Sequence, residues 1–266
     1  MNVIAMGTCR IATWDKSLFS QHQVENPTAK EFKPFTTQVS NSKNVNLYVN
    51  PTGYCTSPPE FVDLLKVLHG DLAWIDKKEI SMYKEIHKYL DSDVFTHINY
   101  DHIILEICSR RFLKAPLELK TKYAWDGCTI PYKVMQEATR SEFSFENLNA
   151  QFRSNVLLSD SEIENYIVTF LNIAKVPPKN IHILGNYIFP ESCVESQISL
   201  PLTVANHRKK LNNLLTTLSK SLGFQYLDFS EILELDKDTS SLSDLFHLSE
   251  LGVKRLSSYI HDLVLV

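Results

Sequence analysis

The run Ile103-Ile104-Leu105, inside Asp101 to Cys108 (DHIILEIC), restricts the fold more than any other feature of the chain. Its unbroken run of large aliphatic residues suits a central parallel strand buried on both faces. Two other runs share its character. Val3-Ile4-Ala5 breaks at Gly7, and Ile181 to Leu184 ends at Gly185-Asn186. Phe224 to Phe229 reads as a further strand. Helices stand between them. One opens at Pro58-Pro59, carries Phe61, Leu64, Leu65 and Leu68 on its apolar face, and ends at Gly70. Others are expected over about 78–90, over Ser161 to Lys175 with Pro177-Pro178 as its stop, over Thr203 to Leu222 before Gly223, and after His247. Residues 15–46 are polar and without period, and are expected to be loop with at most one irregular element. Asn50-Pro51-Thr52-Gly53 is a turn cluster. Residues 111–158 are hard to read and suit a lid or insertion.

This alternation predicts an α/β fold, a three-layer sandwich around a mostly parallel sheet of about five strands. With no Gly/Ser/Pro linker and no internal repeat, residues 1–266 are expected to form one domain. Hydrophobic residues at 44% and charged residues at 22% give the balance of an ordinary globular protein. The formal net charge of −4 argues against a general affinity for nucleic acid. The N-terminus lacks the basic and long apolar regions of a signal peptide, and no apolar run reaches the length of a membrane span. Five scattered cysteines suit a reducing cytoplasm better than a disulfide framework. They form no C-x-x-C pair with His at ligand spacing, so no metal site is expected; no Gly-x-Gly-x-x-Gly or Walker-type loop predicts a nucleotide site.

In a parallel sheet the strand ends share one edge, so chemistry from distant parts of the chain can meet there. The first strand ends in Gly7-Thr8-Cys9-Arg10, and near the C-terminus stands Asp244-Leu245-Phe246-His247. A Cys nucleophile needs a base, and an Asp-x-x-His turn offers an imidazole with a carboxylate beside it. Each has a plainer reading. Cys9 could be a buried structural thiol. Asp244 or Ser243 could be the cap that opens the last helix. His207, in the basic run His207-Arg208-Lys209-Lys210, reads as a solvated helix face; His97 and His102 flank a strand and are weaker alternatives for a base.

These residues resemble the SGNH (GDSL-type) hydrolase superfamily. Its members carry Gly-Asp-Ser after the first strand, where this chain has Gly7-Thr8-Cys9. They carry a Gly after the second strand, matched by Gly53, and a terminal Asp-x-x-His followed by Gly, matched by Asp244, His247 and Gly252. Cys in place of Ser, with an Asn-Pro-x-Gly loop, looks most like the GSCFA branch; capsule-polysaccharide acetyltransferases share Gly-x-Cys. One block departs. The family has Gly-x-Asn-Asp after the central strand, and this chain has Glu106-Ile107-Cys108-Ser109-Arg110-Arg111.

The resemblance implies acyl transfer or ester hydrolysis on an O-acyl substrate, carbohydrate above all, through a thioester at Cys9. His247 would be the base and Asp244 its orienting carboxylate. The Cys9 and Gly53 amides would hold the oxyanion, with Ser109 or Arg110 in place of the missing Asn. Arg10, Arg110 and Arg111 beside strand ends could bind phosphate or carboxylate or form salt bridges, and Asn186 follows a strand toward the same edge. No cofactor is required, and acyl-CoA is a candidate co-substrate. The expected partners are a small molecule or glycan, without nucleic acid or membrane span. Transfer is slightly favoured over hydrolysis by the acetyltransferase likeness. The rival is a retired module of the same fold that binds carbohydrate or protein.

Overall fold

In the computed structural model, residues 1–7, 11, 35–39, 43–49, 57–69, 99–113, 155–188, 202–235, 238–243 and 247–265 are described. The strands are β1 (Asn2–Met6), β2 (Phe35–Val39), β3 (Lys43–Val49), β4 (His102–Glu106), β5 (Arg111–Leu113), β6 (Asn155–Leu157), β7 (Ile181–Leu184) and β8 (Gln225–Leu227). The α-helices are α1 (Pro58–His69), α2 (Asp160–Ile173), α3 (Leu202–Leu222), α4 (Phe229–Ile232) and α5 (Glu250–Leu265).

Six strands form one sheet in the order β2-β3-β1-β4-β7-β8. The pairs β3·β1, β1·β4, β4·β7 and β7·β8 are parallel, and β2 joins β3 antiparallel at the edge. Counted along the chain, the five parallel strands run 2-1-3-4-5, a doubly wound arrangement. The sheet therefore has the expected parallel centre plus one antiparallel strand. The loop expected over 15–46 is corrected where it is described: β2 and the start of β3 occupy 35–39 and 43–46. The signal was present in Val45, Leu47 and Val49, which alternate with polar neighbours.

The continuous apolar runs follow from burial on both faces. In β1, Ile4 and Met6 join one core while Val3 and Ala5 join the other. In β4, Ile103 and Leu105 take the first face and Ile104 the second. The first face is covered by α1, α2 and α3 through residues such as Leu65, Phe170 and Leu215; the second by Phe229 and Ile232 of α4, Leu256 of α5, and Ile11. Three layers result. Each large aliphatic side chain buried this way contributes about 1.5–3 kcal/mol against conformational entropy.

The helix boundaries follow local chemistry. α1 begins at Pro58, where a missing N–H costs nothing, and buries Phe61, Leu64, Leu65 and Leu68. α2 opens on a capping box. The Glu162 amide donates to Ser159 Oγ at 3.3 Å and the Ser159 amide donates to Glu162 Oε2 at 2.8 Å. Past β8 the strand is shorter than expected, because Asp228 caps α4 by accepting from the Ser230 amide at 2.9 Å. β5 and β6 pair antiparallel and bring together the two ends of the 111–158 segment. The helix expected over 78–90, the Asn50–Gly53 turn, His97 and residues 114–154 lie outside the described residues. Among the described residues no helix is long and apolar enough to cross a membrane.

Candidate functional site at the carboxyl edge of the sheet

The strand order reverses between β1 and β4. After β1 the chain passes to the second face, where Ile11 is buried, and after β4 it reaches α2 on the first face. Connections that part in this way open a crevice beyond the carboxyl ends of the two strands. Gly7 and Glu106 stand at its floor, both buried. They are so close that a Cβ on residue 7 would lie 2.6 Å from Glu106 Cβ, so the position requires glycine. Glu106, fully buried at this edge, had no role in the sequence reading.

Cys9, Arg10, Gly53 and Asp244 lie outside the described residues. His247 is described and exposed. Its segment is held firmly. Residues 241–243 and 247–249 run antiparallel around a Leu242–Leu248 bridge, with the Ser243 amide donating to the His247 carbonyl at 3.0 Å and the Ser249 amide to the Ser241 carbonyl at 2.9 Å. Ser241 is fully buried and donates to the Leu233 carbonyl at 2.7 Å. Arg255 of α5 donates to that same carbonyl and pairs with Glu234 at 2.6 Å. The segment is thus anchored to the chain that leaves β8 at the carboxyl edge.

The expected cap of the last helix is corrected. α5 starts at Glu250, and its cap is Ser249, whose Oγ accepts from the Gly252 amide at 3.2 Å; Ser243 does not open it. Gly252 belongs to this joint. A Cβ there would sit 2.0 Å from the Ser241 carbonyl oxygen, so only glycine lets α5 press on that backbone.

A cleft of about 350 Å³ opens on the first face at the same edge. Ser109 and Arg110 border it from beyond β4, Asn186 from beyond β7, and His207 and Arg208 from α3. Three expected site residues are therefore brought together: Ser109, Arg110 and Asn186. Arg110 also forms an ion pair with Asp160 in the first turn of α2. Asn186 is fixed through its backbone by the buried side chain of Asn212. Its amide donates to Asn212 Oδ1 at 2.8 Å, and its carbonyl accepts from Asn212 Nδ2 at 2.6 Å.

His207 and Arg208 were read as a solvated face. His207 is indeed exposed, yet both residues border the cleft. The missed signal is helical spacing: 204, 207, 208 and 211 lie on one stripe, which continues into the buried Leu211 and Leu215. The Arg208 guanidinium lies 4.8 Å above the Tyr187 ring centre.

His102 cannot serve this edge. It is the first residue of β4, so roughly 13 Å of strand separates it from the carboxyl end. It pairs instead with His182, Nδ1 to Nε2 at 3.1 Å. Burial, and then the charge of His102, lower the pKa of His182 to about 4; burial lowers that of His102 as well, partly offset by Asp101.

No protein-family model and no curated protein matches this sequence. Solved structures do show likeness. A member of the lipolytic G-D-S-L family from Veillonella parvula is 12% identical with a TM-score of 0.39, covering 98% of this chain and 97% of that one. A carbohydrate acetylesterase from Sinorhizobium meliloti is 14% identical with a TM-score of 0.36, covering 99% and 98%. An acetylxylan esterase from Geobacillus stearothermophilus is 10% identical with a TM-score of 0.39, covering 98% and 93%.

Proposed function

We propose that the chain is an SGNH-type acyl-ester enzyme, a hydrolase or acyltransferase on an O-acyl substrate, with Cys9 as nucleophile. The observation that carries this reading is the 2-1-3-4-5 parallel order, with its crevice between the carboxyl ends of β1 and β4. Cys9 stands two residues from Gly7 and two from Ile11 in sequence, and both of those are buried just beyond β1. That spacing supports a position beside the crevice. The anchoring of the His247 segment to the chain after β8 supports a base at the same edge.

In the proposed reaction His247 takes the thiol proton and the Cys9 sulfur attacks the ester carbonyl. The carbon–oxygen bond of the leaving alcohol breaks, and the imidazolium returns the proton to that oxygen. Water or an acceptor hydroxyl then attacks the thioester, with His247 again as base, and the thiol is restored. Asp244 would orient the ring and stabilise its cation. The amides of Cys9 and Gly53 would receive the oxyanion, with Ser109 as third donor. An O-acylated glycan is the substrate class favoured by the motif resemblance, and acyl-CoA the corresponding donor for transfer.

Incubation with an acyl ester or thiol-reactive acyl probe, followed by intact-mass measurement, tests the reading. A single acyl adduct is expected, lost in Cys9→Ala, whose thermal midpoint stays near wild type. A protein that takes up no acyl group, or whose Cys9→Ala variant keeps full turnover, is instead a binding module of the same fold.

A further inference from the structure

We infer that the cleft bordered by Arg110, Asn186 and Arg208 is an anion subsite that receives a carboxylate or phosphate of the ligand. The wall chemistry carries this. Its charged members are two guanidinium groups, with the His207 imidazole beside them; one end of the Arg110 guanidinium is already paired with Asp160, and no carboxylate lines the wall itself among the described residues. Two buried donors there have no hydrogen-bond partner among the described residues: Asn186 Nδ2, on a side chain of a residue only 2% exposed, and Arg110 Nε. Both are N–H groups. A ligand that satisfies them must bring acceptors, and an ionised oxyanion is acceptor on every face.

The site is also pre-formed. Asn212 clamps the backbone of Asn186 from both sides, and Arg208 is seated on the Tyr187 ring with its Nη1 3.4 Å from the Tyr187 carbonyl. Tyr187 itself is fully buried, edge-on to Phe229. Val204, in the first turn of the 21-residue helix α3, borders the same cleft, so the positive end of a long helix adds to the field. The volume of about 350 Å³ lies at the lower end of ligand-site sizes and suits a single sugar or a comparable group. In the proposed acyl chemistry, on which this assignment of a role rests, the cleft would hold the charged part of the substrate. A sugar carboxylate would mark an acidic glycan, and a phosphate would mark a phosphorylated acyl donor.

Calorimetric titration of the full chain with glucuronate, and separately with inorganic phosphate, distinguishes these sources. At least one anion is expected to bind in the millimolar range and more weakly as salt rises. Arg208→Gln should weaken that binding by about tenfold or more, and Asn186→Asp, equal in shape but lacking the donor, should abolish it. Circular dichroism and thermal midpoints establish that both variants are folded. A wild-type protein that takes up no acyl group yet still binds the anion refutes only the catalytic reading. Absence of binding by both anions, or binding that folded Arg208→Gln leaves unchanged, overturns the subsite.

Discussion

At residue scale the sharpest effects come from groups whose surroundings leave them no alternative. Gly252 lies within α5, where helix propensity alone would reward alanine by about 1 kcal/mol. The Ser241 carbonyl 2.0 Å from the would-be Cβ reverses that sign. Gly252→Ala is expected to destabilise by about 1–3 kcal/mol in urea unfolding, the cost of overpacking; a stabilised variant would show that the joint yields freely. His182 gives a pH dependence. Its Nε2 faces His102 and its buried Nδ1 has no partner among the described residues, so a second proton has no acceptor there. With its pKa at about 4 in the fold and near 6.5 unfolded, the unfolded chain takes up the proton first as pH falls. Stability from this group is complete above about pH 6.5, falls progressively toward pH 4, and is level below that. The loss between pH 7.5 and 5 is about 2 kcal/mol, and His182→Gln should remove that part of the slope. Parallel stability–pH curves for the two proteins would contradict it.

At the scale of elements, the start of α5 separates a structural role from a chemical one. Ser249 is the cap, so Ser249→Ala should cost about 1 kcal/mol of stability. With Ser249 as the cap, Asp244→Asn should leave the unfolding midpoint unchanged. In the proposed mechanism it should lower kcat by about 10²-fold or more through loss of the charge beside His247. Paired unfolding and kinetic measurements on the two variants check this, and full activity in Asp244→Asn would remove the carboxylate from the chemistry. The second helical turn of α3 has a comparable duality. Leu211 and Leu215 pack into the core on the stripe that, one to two turns earlier, presents His207 and Arg208 to the cleft.

At the scale of the whole molecule, winding rather than any single motif selects where chemistry can occur. Parallel strands place all five carboxyl ends at one edge, and the reversal of strand order opens a crevice there. The chain reaches that edge after residue 6, after residue 49, after residue 106, after residue 184 and after residue 227. Segments far apart in sequence can then contribute to one site without any of them being long. The amino edge carries a different pair, His102 and His182, whose burial bears on stability.

The layer architecture was legible in the sequence because its cause is local. Val3-Ile4-Ala5, Ile103-Ile104-Leu105 and Ile181 to Leu184 are apolar at consecutive positions, and consecutive positions of a strand face opposite sides, so both sides must be covered. The apolar face of α1 was legible for the same reason, its spacing being that of one helix stripe. β2 and the start of β3 were missed: the alternation of Val45, Leu47 and Val49 is a strand signal, but Thr36-Thr37-Gln38 inside β2 is a polar run that only pairing with β3 marks as strand. The true cap of α5 was hidden too: Ser243, Asp244 and Ser249 are all plausible caps by residue type, and only the bridge between 242 and 248 decides where the helix begins. Ser109, Arg110 and Asn186 could be named from their places after strands, but their meeting with Arg208 depends on how α3 lies across the edge. Sequence determines which faces must be buried; the packing of helices on the sheet determines which polar groups, left over from that burial, come to share a cleft.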